Sequence, residues 1–242
     1  RPAPHRTAEL DILYEDDDLI AINKPAGLLA VPLERKFEAD SVLEQIERHL
    51  RSHRTRRPFV VHRIDRDTSG VVLFAKHAAA QAVVKQQLFR HEPERIYHAV
   101  VYGHPKPASG TWRDHLAWDE RLLIQKQTDV RDARAKEAVS EYRSLESFVA
   151  TSLIEVRLIT GKRNQIRIQA RLRGHTLVGE SRYTYGPDQL RTVDFGRQAL
   201  HAARLTIVHP GKGKPLAFEA PMPSDMKDLL KELRAEQVSA RR

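Results

Sequence analysis

The chain has 242 residues, with 41 Lys and Arg against 32 Asp and Glu, a net charge of +9 and no cysteine. Disulfides, thiolate chemistry, Cys-ligated zinc and iron–sulfur clusters are thereby excluded. No run of about 20 apolar residues is present, so no membrane-spanning helix is expected, and the opening RPAPHRTAEL holds no apolar signal region.

Residues 1–9 read as an N-terminal extension. Residues 10–14 and 19–23 then read as two short strands around an acidic turn. In NKPAGLLAVP, Pro25 and Gly27 favour a further turn. Ser41 and Glu44 have capping-box spacing, and Val42, Ile46 and Leu50 form the apolar stripe of a helix. Residues 51–58 read as an exposed, Arg-rich loop ending at Pro58. Apolar runs at 59–61 and 71–75 flank HRIDRDTSG, residues 62–70. Residues 78–91 are rich in helix formers and stop before Pro93. Strands are expected at 95–103, 141–146 and 153–159.

TGKRNQIRIQARLRGH then reads as a turn and a helix closed by Gly174. The spacing puts Arg163, Arg167 and Arg171 on one helical face. A loop-rich segment (176–196), a strand near 205–208, a Gly/Pro turn and a short strand follow. A last helix is expected with Ser224 as its cap and Met226, Leu229, Leu230 and Leu233 on its apolar side. Residues 236–242 read as a basic tail. The order mixes hairpins and helices without strict βαβ alternation. It predicts an α+β fold, with a mixed or antiparallel sheet and helices packed on it.

The positive charge is clustered. RHLRSHRTRRPFVVHRIDRD gathers seven arginines, and RLITGKRNQIRIQARLR carries no acid at all. Arginine matches phosphate geometry, so the clusters favour nucleic acid as partner. His49 and His53 have helical i, i+4 spacing, but neither an HExxH frame nor a third ligand accompanies them, and no metal is expected. GKGK (211–214) lacks the ending of a phosphate-binding loop and reads as a basic turn. HRIDRDTSG on its own fits a charged turn before a strand.

Five motifs in order change that reading. HRIDRDTSGVVLFAK resembles the catalytic motif of the RluA-like pseudouridine synthase family. AINKPAGLLAVP, ERIYHAVVYG, LITGKRNQIRIQARLRGHTLVGESRY and LHAARLTIVHP resemble its other signature segments. Together they span about residues 10–233, and the resemblance implies one catalytic domain over 10–235. It implies a pseudouridine synthase fold with a largely antiparallel central sheet, flanking helices and a basic cleft. It also implies isomerisation of uridine in RNA: N1–C1′ breaks, the base turns, and C5 bonds to C1′.

The resemblance places the essential carboxylate at Asp65, suited to act as a nucleophile, or as a base and electrostatic stabiliser beside a developing oxocarbenium-like sugar. It puts the base-stacking tyrosine at Tyr97 and the arginine that keeps Asp65 ionised at Arg167. Arg63 is implied as the group filling the space of a flipped base. Further substrate contacts are implied at His62, Thr68, Arg163, Ile166 and Leu200. Asp67 is assigned to a turn. Neither cofactor nor metal is implied. The expected partner is an RNA stem-loop, rRNA first and tRNA as the alternative. A monomer in the cytoplasm, with no membrane association, is expected. Four positions depart from the pattern: Arg163-Asn164 where Thr/Ser-His is common, Thr176 for Pro, and Glu180 for Asp.

Overall fold

The computed structural model describes residues 10–32, 40–52, 57–184 and 193–240. Among these, eleven strands join in one sheet. Its path runs β1 (Ile12–Glu15), β2 (Leu19–Lys24), β4 (Ser69–Ala75), β10 (Leu200–Val208), β5 (Glu94–Tyr102), β9 (Thr151–Leu158), β8 (Lys136–Ser147), β6 (Ser109–Asp119) and β7 (Ile124–Gln127). Two short strands attach beside it, β3 (Phe59–Val60) on β4 and β11 (Pro215–Glu219) on β10. Every pairing is antiparallel except β4 with β10. The expected mixed, largely antiparallel sheet is therefore what forms.

Alternation along the strands sends successive side chains to opposite faces. On β2 and β4, Ile20, Ile22, Val72 and Phe74 join one core cluster, while Leu19, Ala21, Val71 and Leu73 join another. The first face carries α1 (Val42–Ser52) through Val42, Ile46 and Leu50, and α3 (Gln165–Leu172) through Ile166 and Ala170. The second carries α2 (Ala78–Phe89) through Ala80 and Val84. Farther along, α4 (Ser224–Ala240) buries Met226, Leu229, Leu230 and Leu233 against Val100 and Leu153. All seven residues of β4 are buried, as a strand covered on both faces requires.

The capping box forms: Ser41 donates to Glu44 at 2.8 Å and accepts from the Glu44 amide at 3.3 Å. Several boundaries shift. Strand β4 begins at Ser69, so the Thr-Ser-Gly end lies mostly within the sheet, and the turn falls at Arg66–Asp67. Gly70 is required there. Its φ is +111°, and a Cβ would stand 2.2 Å from the Ala202 carbonyl of β10. Strand β10 starts at Leu200 rather than near 205, because Leu200–Ala202 pair with β5 and β4. Strands β6 and β7 were not expected from sequence. Helix α4 runs on to Ala240, into the segment read as a tail. The Arg-rich loop at 53–56 and residues 1–9 lie outside the described residues, as does His53; helix α1 itself extends to Ser52.

Arg163 is not on the α3 face with Arg167. Asn164 caps the helix with φ +53°, a left-handed turn that Asn tolerates better than most residues, and this takes Arg163 off the helical register.

Candidate active site

The loop between β3 and β4 is fixed by hydrogen bonds to its own backbone. Lys24, at the end of β2, is fully buried, and its Nζ donates to the carbonyls of Pro25, Leu28 and Arg66 at 2.7, 2.8 and 2.7 Å. An ammonium has three hydrogens, and here each has one carbonyl. The Gly27 amide also donates to Arg66, and the Thr68 amide to the Asp65 carbonyl. The NKPAG turn thus clamps the residue next to Asp65.

Asp65 accepts two hydrogen bonds on one oxygen. Asn164 Nδ2 reaches its Oδ2 at 2.6 Å and Arg167 Nη1 at 3.0 Å. Among the described residues Oδ1 receives none, so one carboxylate oxygen is left for a ligand. The orientation of Asn164 is itself fixed. Its Oδ1 accepts from the Tyr183 hydroxyl at 3.2 Å, and that hydroxyl accepts from the Gln125 amide of β7 at 2.9 Å. Arg167 is held from behind by Glu180, whose two oxygens take Nε and Nη2, each at 2.6 Å. Burial works against charge on Arg167, but Glu180 and Asp65 outweigh it and raise the guanidinium pKa. Helix α3 cannot shift easily beneath these groups. Buried Gln165 and Gln169 bond it to Thr160, Val139, Ser140 and Asp114.

These groups open on a cavity of about 620 Å³. Asp65, Tyr97, Arg167, Ile166, Leu200 and Thr68 all line it. Tyr97 is buried on β5; burial, with Asp65 adding to it, raises its pKa, so the phenol is neutral at ordinary pH. Thr68 is buried, and its hydroxyl accepts from Gln198 at 3.4 Å, a structural contact as well as a lining one. At the rim, Arg63 is exposed, and Arg163 stacks 4.1 Å from the Trp118 ring centroid. Phe89, at the end of α2, is 84% exposed there.

His62 also lines the cavity, but its Nε2 accepts the Leu73 amide at 3.0 Å. That bond requires the neutral ring with its hydrogen on Nδ1. Burial, aided by Arg95, lowers its pKa to about 4. The unfolded chain therefore binds the proton more readily between pH 6.5 and 4, and stability from this group is lost as pH falls through that window. Thermal denaturation between pH 4 and 7 should show Tm falling with acidity. His62→Gln should flatten that dependence.

No cluster able to hold a metal exists among the described residues. His49 instead meets Glu15, with Nε2 at 2.9 Å from the carboxylate.

A family profile described as RNA pseudouridylate synthase matches residues 18–172. Ribosomal large subunit pseudouridine synthase D of Zymomonas mobilis is 37% identical over 246 residues, covering 96% of this chain and 76% of that protein. The chain belongs to the RluA-like RNA pseudouridine synthases.

An uncharacterized RNA pseudouridine synthase of Bacillus subtilis, YlyB, is also 37% identical, over 93% of this chain and 73% of its own. The fold is shared with human RNA pseudouridylate synthase domain containing 4, at TM-score 0.75 and 21% identity over 92% of each chain. Membership makes this synthase an RNA-modifying isomerase. Two of its departures from the family pattern, Asn164 and Glu180, turn out to touch Asp65 and Arg167 directly. Lys24 and Tyr183 were not singled out from sequence, although both sit inside its motifs. The bonds that matter to the site, Lys24 to the Arg66 carbonyl and the Tyr183 hydroxyl to Asn164 and Gln125, are long-range, and no local spacing announces them.

Proposed function

We propose that Asp65 is the catalytic carboxylate of this synthase, with Tyr97 under the uracil and Arg167 paired with Asp65 to orient it. The observation that carries the reading is the one-sided bonding of Asp65. Both donors engage Oδ2, and among the described residues Oδ1 receives none, on a residue that lines the cavity. Whether it attacks C1′ or stabilises an oxocarbenium-like sugar, the carboxylate has to be held in one orientation, and two donors on one oxygen do that. The isomerisation balances without a co-reactant: C5 loses a proton, N1 gains one, and the glycosidic bond moves from N1 to C5. Tyr97, buried and protonated, offers a ring for stacking.

The uridine must leave its stack to enter a cavity of this size, and the cost is lowest in a loop. Arg63, exposed at the rim, would occupy the vacated position. His62 shapes the loop through Leu73, and Ile166 and Leu200 give the base an apolar floor. Arginines interleaved with the exposed Phe89 are the mixture that single-stranded RNA binding uses. The expected substrate is large-subunit rRNA, as in the name of the Zymomonas relative, in a cytoplasmic setting and with the protein as a monomer.

The test is to incubate the protein with large-subunit rRNA transcribed in vitro and map pseudouridines. New sites are expected at defined uridines; their absence would remove the substrate assignment. Binding should weaken steeply with salt, and Arg163→Ala should reduce the slope of log K against log salt by about 1. A slope equal to that of the parent would take Arg163 out of the RNA footprint.

A further inference from the structure

Four arginines line the cavity: Arg63, Arg95, Arg163 and Arg167. Three have an evident situation. Arg167 is committed to two carboxylates, Arg163 stacks on Trp118, and Arg63 is exposed to solvent. Arg95 has none of these. It is 9% exposed, on β5, two residues before Tyr97 and on the same face of the strand. One of its Nη atoms donates to the Ile159 carbonyl, and its buried Nε has no hydrogen-bond partner. Among the described residues no carboxylate pairs with it. Burial depresses its pKa, and only Tyr97 works the other way.

A buried guanidinium without a counter-charge is costly, and each such group calls for an explanation. The surroundings keep it in place at that cost. A Cβ at Gly161 would come within 2.6 Å of Arg95 Nη1, so the glycine in the turn before α3 leaves the guanidinium its room. The missing counter-charge is one that an RNA substrate carries at every nucleotide. Arginine forms planar, charge-assisted contacts with phosphate oxygens. Residues two apart on a strand stand roughly 7 Å apart, a span comparable to that between the base and phosphate of one nucleotide.

We propose that Arg95 is an inner phosphate receptor. It binds a backbone phosphate flanking the flipped uridine and so sets that nucleotide's base against Tyr97. The proposal rests on the synthase reading above. It separates two kinds of arginine at this site: those at the rim, which gather RNA, and one in the wall, which registers a single nucleotide.

The experiment compares wild type with Arg95→Met, Arg95→Lys and Gly161→Ala. Large-subunit rRNA transcribed in vitro serves as substrate and uridine 5′-monophosphate as a small probe. Arg95→Met is expected to raise KM about ten- to hundredfold and to lower the salt slope by about 1. Its Tm should equal or exceed that of wild type, since an uncompensated charge is gone. The monophosphate should raise the Tm of wild type but not of Arg95→Met. Arg95→Lys should keep the salt slope, and Gly161→Ala, which displaces the guanidinium without removing it, should raise KM.

If Arg95 only pins the Ile159 turn, Arg95→Met will lose stability with KM unchanged, and the proposal falls. Equal protection of wild type and Arg95→Met by the monophosphate overturns it as well. Should the Met variant fail to fold, a Gly161→Ala protein with wild-type KM overturns it in its place. If wild type modifies no rRNA, the substrate reading fails, while the monophosphate comparison still decides the role of Arg95.

Discussion

Asp65→Asn is expected to fold close to wild type, to bind RNA, and to lose turnover by at least about 10³-fold. The fold should survive because the loop is held by its backbone. Lys24 and Gly27 grip the Arg66 carbonyl, and Thr68 grips that of Asp65. The side chain itself is 26% exposed, and the isosteric amide still offers an oxygen to Arg167 or Asn164. A stability change within about 1 kcal/mol is expected at such a site. Arg167 keeps its charge partner in Glu180. RNA binding should hold or tighten, because a negative charge has been taken out of a cavity that a polyanion enters. Loss of rate with retained binding and unchanged Tm separates a chemical role from a structural one.

Arg167→Met should behave differently. It is expected to cost about 3–5 kcal/mol of stability as well as turnover. The reason is Glu180, whose side chain is fully buried and whose oxygens both serve Arg167. Without the guanidinium, that carboxylate is a buried charge without its partner, and Asp65 loses one of its two donors. The double variant Arg167→Met with Glu180→Gln should recover much of the stability. Gln removes the charge while leaving an oxygen for the Arg182 and Tyr183 amides, which donate to Oε1 of Glu180. Activity should not return, since nothing replaces the Arg167 contact to Asp65. Chemical denaturation midpoints and initial rates on one set of four proteins test both statements. A double variant that regains activity would show that the pair acts only through folding.

The sequence made local structure readable where the determinants were local. Helix α1 was legible because Ser41, Glu44 and the Val42–Ile46–Leu50 stripe lie within one short segment. Helix α4 was legible for the same reason. Strands β6 and β7 were not. In β6 the inward positions include Asp114, buried and paired with Arg173 and Gln169, so a polar residue interrupts the apolar alternation. The Arg163–Arg167–Arg171 spacing suggested one basic face, but the left-handed turn at Asn164 divides it, and Arg167 faces inward to two carboxylates.

The site shows the same division. Asp65, Tyr97 and Arg167 were found through motifs, and the structure brings all three to one cavity. Asn164 and Glu180 registered in the sequence only as departures from a pattern. Their importance is a matter of three-dimensional contact: Asn164 reaches Asp65 across 99 positions of chain. Arg95 was visible as part of ERIYHAVVYG, but the missing counter-charge becomes evident only once burial and partners are known.

The most direct test of the central claim uses large-subunit rRNA transcribed with tritium at C5 of uridine. Bonding C5 to C1′ expels that hydrogen, so wild type is expected to release tritium to water in step with pseudouridine formed, leaving the RNA strand intact. Asp65→Asn should release none. Turnover by Asp65→Asn at the wild-type rate, or release of free uracil in place of tritium by wild type, would contradict an isomerisation carried by Asp65.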